Sequence, residues 1–167
     1  MNDKILVAYA TAAGSTGEVA EAMGKALADG GATVDVRPAK EVTDVSGYHA
    51  AILGTGIRAG QVYQEALAFV ETHQQALGQI PVAYFVVCST MEQDTEESRA
   101  TASGYLDQLR EKAPGVEPVD KGLFAGAVDF GKLPLPLKLI LKAMKKSEGD
   151  WRDWDAICAW ATNLQLH

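Results

Sequence analysis

At 167 residues the chain has the length of one domain, with enough sequence for a sizeable core. Its 47% hydrophobic and 22% charged residues are those of an ordinary globule, and its formal net charge of −7 argues against nonspecific nucleic-acid binding while favouring basic partner surfaces. No basic-then-apolar leader opens the sequence, and no apolar run approaches the roughly 20 residues that cross a bilayer, so a cytoplasmic protein is expected. Cys88 and Cys158 are far apart and match no metal or redox spacing, which reads as two reduced thiols. His49, His73 and His167 are scattered, and no metal site is expected.

Strand-like and helix-like segments then alternate. Ile5–Ala8 is a short, nearly all-apolar run, the pattern of a central strand buried on both faces. Ser15–Asp29 is an alanine-rich helix closed by Gly30-Gly31. Thr33–Arg37 alternates apolar and polar residues as an edge strand does, and Pro38 ends it. Ala50–Gly54 is a third strand, Tyr63–Leu77 a helix ending at Gly78, and Pro81–Cys88 a second central strand. Thr95–Lys112 is a charged amphipathic helix stopped by Pro114-Gly115. Leu123–Phe130 reads as a fifth strand broken at Gly126, where a glycine marks a bulge or a close backbone approach. In a last helix, Asp153–Leu164, the spacing puts Trp154, Ile157, Ala161 and Leu164 on one face. This alternation predicts an α/β doubly wound fold, a five-stranded parallel sheet in the order 2-1-3-4-5 with helices on both faces. In that order the loops after strands one, three and four meet at one sheet edge.

The first of these loops, Thr11-Ala12-Ala13-Gly14-Ser15-Thr16, delivers three hydroxyls and a glycine to a helix start. Free N–H groups and the positive end of the helix dipole suit a phosphate there. The loop has no lysine or arginine, so neutral donors alone would hold it. That argues against a nucleotide-hydrolase P-loop and against a Gly-x-Gly-x-x-Gly dinucleotide site, and flavin mononucleotide (FMN) is the candidate that remains. The plain alternative is a strand–helix turn in which Ser15 or Thr16 only caps the helix.

The second loop, Gly54-Thr55-Gly56-Ile57-Arg58-Ala59-Gly60, can lay backbone groups along the edge of a flat ring with Ile57 over one face. Arg58 beside the ring would stabilise an anionic reduced form or pair with a substrate carboxylate, and it is the one candidate catalytic residue. A glycine-rich loop with a solvated arginine is the plain alternative. In the third loop, Ser89, Thr90 and Met91 would meet the ring, with Met91 packed on it. The acids that follow, Glu92 and Asp94 to Glu97, would steer a basic redox partner or complement a helix dipole. For Glu96 and Glu97 the dipole is the preferred reading.

These motifs resemble the flavodoxin superfamily over essentially the whole chain. Thr11–Thr16 is similar to its Thr/Ser-x-Thr-Gly-x-Thr phosphate loop, except that Ala13 replaces the central hydroxyl, a loss of about 1 kcal/mol of hydrogen bonding. Within the superfamily the chain most resembles the menaquinone-dependent protoporphyrinogen oxidases, through Gly54–Arg58, Phe124-Ala-Gly-Ala127 and Gly149-Asp-Trp-Arg-Asp-Trp154. It departs from them at Ala12-Ala13, where an arginine and an acid are usual. The resemblance implies an FMN-dependent oxidoreductase that takes electrons from a reduced tetrapyrrole and passes them to a quinone or a protein acceptor. The alternative is a flavodoxin-type carrier serving a larger redox partner. Ordinary short flavodoxins sandwich the ring between aromatics. Ile57, Arg58 and Met91 stand here instead, leaving a more open face for a substrate.

One further segment bears on partners. Between Leu133 and Lys146, Leu137, Ile140, Leu141 and Met144 share a helical face, flanked by Lys138, Lys142, Lys145 and Lys146. Leu137–Lys146 can lie on an anionic membrane surface, which suits a lipid-quinone acceptor, or simply pack on the sheet with its lysines solvated.

Overall fold

The computed structural model describes residues 4–10, 15–58, 60–128, 149–150, 152–164 and 166. Its main sheet contains β1 (Lys4–Ala10), β2 (Thr33–Pro38), β3 (Ala50–Arg58), β5 (Val82–Val87) and β6 (Lys121–Phe124) in the parallel order β2-β1-β3-β5-β6. Counting only these five, that is the expected order 2-1-3-4-5. A two-residue strand, β4 (Gln61–Val62), folds back antiparallel on β3.

Side chains alternate across the sheet. Leu6, Ala8, Leu53, Tyr84 and Val86 enter one core, with residues of α2 (Gln64–Thr72), α3 (Gln74–Leu77) and α4 (Glu96–Lys112). Ile5, Val7, Ile52, Phe85 and Val87 enter the other, with α1 (Ser15–Asp29) and α5 (Trp154–Thr162). Burial on both faces explains why β5, Val-Ala-Tyr-Phe-Val-Val, is apolar throughout.

Local chemistry sets the helix ends. Gly31, at φ +105°, carries the chain out of α1 in a conformation that favours glycine. At the start of α4 the Thr95 hydroxyl accepts from the Ser98 amide at 3.0 Å, with Glu96 and Glu97 in the first turn and Arg110 and Lys112 in the last. Asp153 caps α5 in the same way, accepting from the Ala156 amide at 3.1 Å.

Four sequence expectations need correcting. The Tyr63–Leu77 helix is two helices, because His73 leaves helical geometry at φ −104° and ψ 14°. The fifth strand is split. Lys121–Phe124 belongs to the main sheet, whereas β7 (Ala127–Val128) pairs antiparallel with β8 (Gly149–Asp150), and residues 129–130 lie outside the described residues. The third strand does not stop at Gly54 but runs to Arg58, so most of the second loop is extended chain. Trp154 does not join Ile157 and Ala161 in the core. It is 39% exposed, and its ring carries the Arg152 guanidinium 4.6 Å from the centroid.

Candidate functional site

The parallel pairing of three strands ends at nearly one level, beyond which β3 runs on to Arg58. Ala10 of β1 is level with Thr55 of β3, and Thr55 with Val86 of β5, so the chain segments that follow all leave from one sheet edge. Thr11, Ala12, Ala13 and Gly14 lie outside the described residues, as does Leu137–Lys146. Ser15 and Thr16 open α1, and the Thr16 side chain is only 1% exposed.

Two glycines close on those hydroxyls. A Cβ on Gly56 would lie 3.3 Å from Oγ1 of Thr16 and 2.9 Å from the Tyr63 ring. A Cβ on Gly126 would lie 3.5 Å from Oγ of Ser15 and 2.9 Å from Cγ1 of Val87. A side chain at Gly56 would press on the Thr16 hydroxyl, whereas one at Gly126 would meet Ser15 at ordinary contact distance and clash with Val87 instead. Gly126 marks a close approach, as the sequence suggested. This cradle of hydroxyls and bare backbone at a helix N-terminus has the donor chemistry of a phosphate ester site.

A cation also reaches this region, which the loop sequence alone did not reveal. Arg152, its side chain 11% exposed, ion-pairs with Glu18 in the first turn of α1. The two residues are far apart in sequence, so spacing gave no signal for the pair.

The second segment is a hairpin. Ile57 pairs with Val62 and Arg58 with Gln61, and Gly60 turns the chain at φ +77°. Thr55 is fully buried. Its hydroxyl donates to the Gly56 carbonyl at 2.8 Å and accepts from the Tyr63 amide at 3.3 Å, bracing the base of the hairpin. Gln108 of α4 meets the hairpin tip, accepting from the Val62 amide at 3.1 Å and donating to the Gly60 carbonyl at 3.0 Å. Ile57 is half-buried against the α4-side core. Arg58 is exposed and has no ion-pair partner among the described residues.

The third segment forms a 3-10 turn, Ser89–Glu92. Ser89 is exposed, and the half-buried Thr90 hydroxyl lies 3.4 Å from that of Tyr105 on α4. Met91, expected to pack on a ring, instead points inward, 7% exposed in the core with Ala102 and Leu106. Cys88 is buried, and that burial pushes its thiol pKa up, away from nucleophilic use. Asp94 is held below the usual carboxylate range by Arg99, whose Nε donates to it at 2.6 Å. Glu96 and Glu97 sit in the first turn of α4, consistent with the dipole reading. Among the described residues no group of acids, histidines and cysteines could hold a metal, and no helix is long and apolar enough to cross a membrane.

Fold and edge geometry together define a doubly wound α/β protein whose central strands end at one edge. The sequence matches the family described as "Flavodoxin domain" over residues 6–155. The chain belongs to that family. Structurally it is similar to oxidised flavodoxin 2 from Bacillus cereus, at 20% identity, TM-score 0.58 and 95% coverage of both chains. It is similar also to the Streptococcus pneumoniae TIGR4 flavodoxin, at 18% identity and TM-score 0.55, covering 96% of this chain and 97% of that one. A flavodoxin from the domain Archaea aligns at 18% identity and TM-score 0.54, over 96% and 99%. Identities this low speak for the fold alone. No curated protein matches the sequence.

Proposed function

We propose that this chain binds FMN at the strand-end edge and acts as an electron-transfer flavoprotein. The observation that carries the reading is the start of α1, where the Ser15 and Thr16 hydroxyls face Gly126 and Gly56 and a side chain at Gly56 would crowd Thr16. In this reading Ser15 and Thr16, with Thr11–Gly14, bind the phosphate. Thr55–Arg58, Ser89 and Thr90 border the ring, with Arg58 as an exposed cation at its rim. When bound, FMN supplies one- and two-electron redox chemistry. The protein's part is to bind, orient and set the electrostatics.

Two finer readings follow. The likeness of Phe124–Ala127 and Gly149–Trp154 to the protoporphyrinogen oxidases supports an oxidoreductase, with a reduced tetrapyrrole as donor and a quinone or protein as acceptor. Membrane contact through Leu137–Lys146 would serve such an acceptor. Membership of the flavodoxin-domain family supports a carrier between larger redox partners. Titration with FMN, followed by quenching of its fluorescence, tests the common part, and a failure to bind overturns it. Adding protoporphyrinogen IX to the loaded protein without oxygen separates the finer readings. Bleaching of the flavin with appearance of porphyrin favours the enzyme, and an unchanged spectrum favours the carrier.

A further inference from the structure

We propose that Gln108 is a positioning residue for the flavin ring, and that through Gln108 and Tyr105 helix α4 holds both ring-bordering segments in fixed relation. The proposal rests on the FMN reading above. Its physical basis is the hairpin's construction. The segment Gly56–Arg58 is fastened at two ends: at its base by the Thr55 hydroxyl, and beyond its tip by the Gln108 amide.

The tip needs both halves of that amide. Val62 offers an N–H and Gly60 a carbonyl, so the partner must accept at one atom and donate at another. An amide side chain does both at neutral pH, with a fixed separation between its accepting oxygen and its donating nitrogen. A glutamate would accept from Val62 and set a carboxylate oxygen against the Gly60 carbonyl.

The post that carries Gln108 is itself anchored. Leu106 and Leu109, on either side of it, are fully buried, and Asp107 takes a 2.9 Å ion pair from Lys121 of β6. Three residues back, on the same helix face, the Tyr105 hydroxyl lies 3.4 Å from that of Thr90. One helix thus touches the second segment at Gly60 and Val62 and the third at Thr90. Two chain segments that leave the same sheet edge therefore share a single support.

The test uses Gln108→Glu and Gln108→Leu. Gln108→Glu removes one arm of the clamp, and Gln108→Leu removes both. Amide hydrogen exchange at residues 57–63 is read on the flavin-free protein, and FMN dissociation constant and flavin midpoint potential on the loaded one. We expect exchange in the hairpin to rise about tenfold or more, FMN binding to weaken about tenfold, and the potential to move, while exchange elsewhere in the sheet stays as in the parent. Unchanged exchange at 57–63 overturns the clamp. Faster exchange with unchanged affinity and potential overturns its role toward the ring. If the parent chain itself fails to bind FMN, the cofactor reading falls and the ring-positioning role falls with it, while exchange still decides the clamp. Should Gln108→Leu fail to fold, Gln108→Glu carries the same readouts.

Discussion

Gly54 allows a stability prediction worked from contact distances. It pairs with Phe85 across β3 and β5, and a Cβ at Gly54 would lie 1.9 Å from Cζ of that ring and 2.3 and 2.4 Å from Cε2 and Cε1. The ring has little room to yield. Phe85 is fully buried, with centroids of Phe124 and Trp160 at 6.3 and 6.1 Å. Overpacking typically costs about 1–3 kcal/mol, and three ring atoms at such distances put Gly54→Ala at or above the upper end. Replacing a strand glycine recovers about 0.5–1 kcal/mol, which leaves a net loss of about 2–3 kcal/mol. For a domain of this size that lowers Tm by roughly 4–12 °C. Urea and thermal unfolding of the flavin-free protein, followed by circular dichroism, give both quantities. In a Phe85→Leu background the ring is gone, and Gly54→Ala should cost at least about 1 kcal/mol less than it does alone. Additive effects of the two substitutions would refute the argument, as would a single-mutant cost below about 0.5 kcal/mol.

Three other outcomes are expected. Gly56→Ala drives a methyl toward the Tyr63 ring and the Thr16 hydroxyl, so FMN affinity should fall about tenfold or more with a smaller stability loss than Gly54→Ala. Fluorescence titration beside urea unfolding checks this, and the reverse ranking would put Gly56 in core packing instead. Arg58→Ala, at an exposed site, should leave stability within about 0.5 kcal/mol. Turnover would drop if the chain oxidises a substrate directly, partner reduction would persist if it is a carrier, and no change in either leaves Arg58 without a role. Asp35 accepts from the Tyr48 hydroxyl at 2.7 Å and pairs with Lys4 at 3.3 Å, and these contacts hold its pKa below the ordinary carboxylate value. Its stabilisation is therefore complete above the unfolded-state pKa and fades as pH falls through the depressed folded one. Asp35→Asn should then lose stability relative to the parent at neutral pH, with the gap narrowing below about pH 4, as urea midpoints across the acid range would show.

The sheet was legible because a doubly covered parallel strand has to be apolar on both faces, and runs such as Val82–Val87 have few other interpretations. Helix ends were legible where capping chemistry is local, as at Thr95 and Gly31. What escaped depends on contacts distant in sequence. Gln61–Val62 is too short to show a strand period and exists as β4 by pairing with β3. Gln108 looks like any polar residue of an amphipathic helix until its two backbone partners are seen. Arg152 finds Glu18 only because α5 packs against α1. Trp154 and Met91 show the limit of side-chain type as a guide. The aromatic begins a helix and stacks on a neighbouring guanidinium, while the thioether fills the floor beneath α4.

The pairing of β7 with β8 has a consequence for how this architecture can vary. Ala127 joins Asp150 and Val128 joins Gly149, so the span 129–148 leaves and returns through one doorway, after the main sheet has already been completed at Phe124. Closing a longer excursion through the same doorway adds only about 0.6 kcal/mol for each doubling of its length. Every residue that pairs in the main sheet precedes the span, so the register of that sheet is set by chain that comes before it. If Leu137–Lys146 does meet a membrane or a protein acceptor, the choice of destination for the electrons is written in a different part of the chain from the means of carrying them.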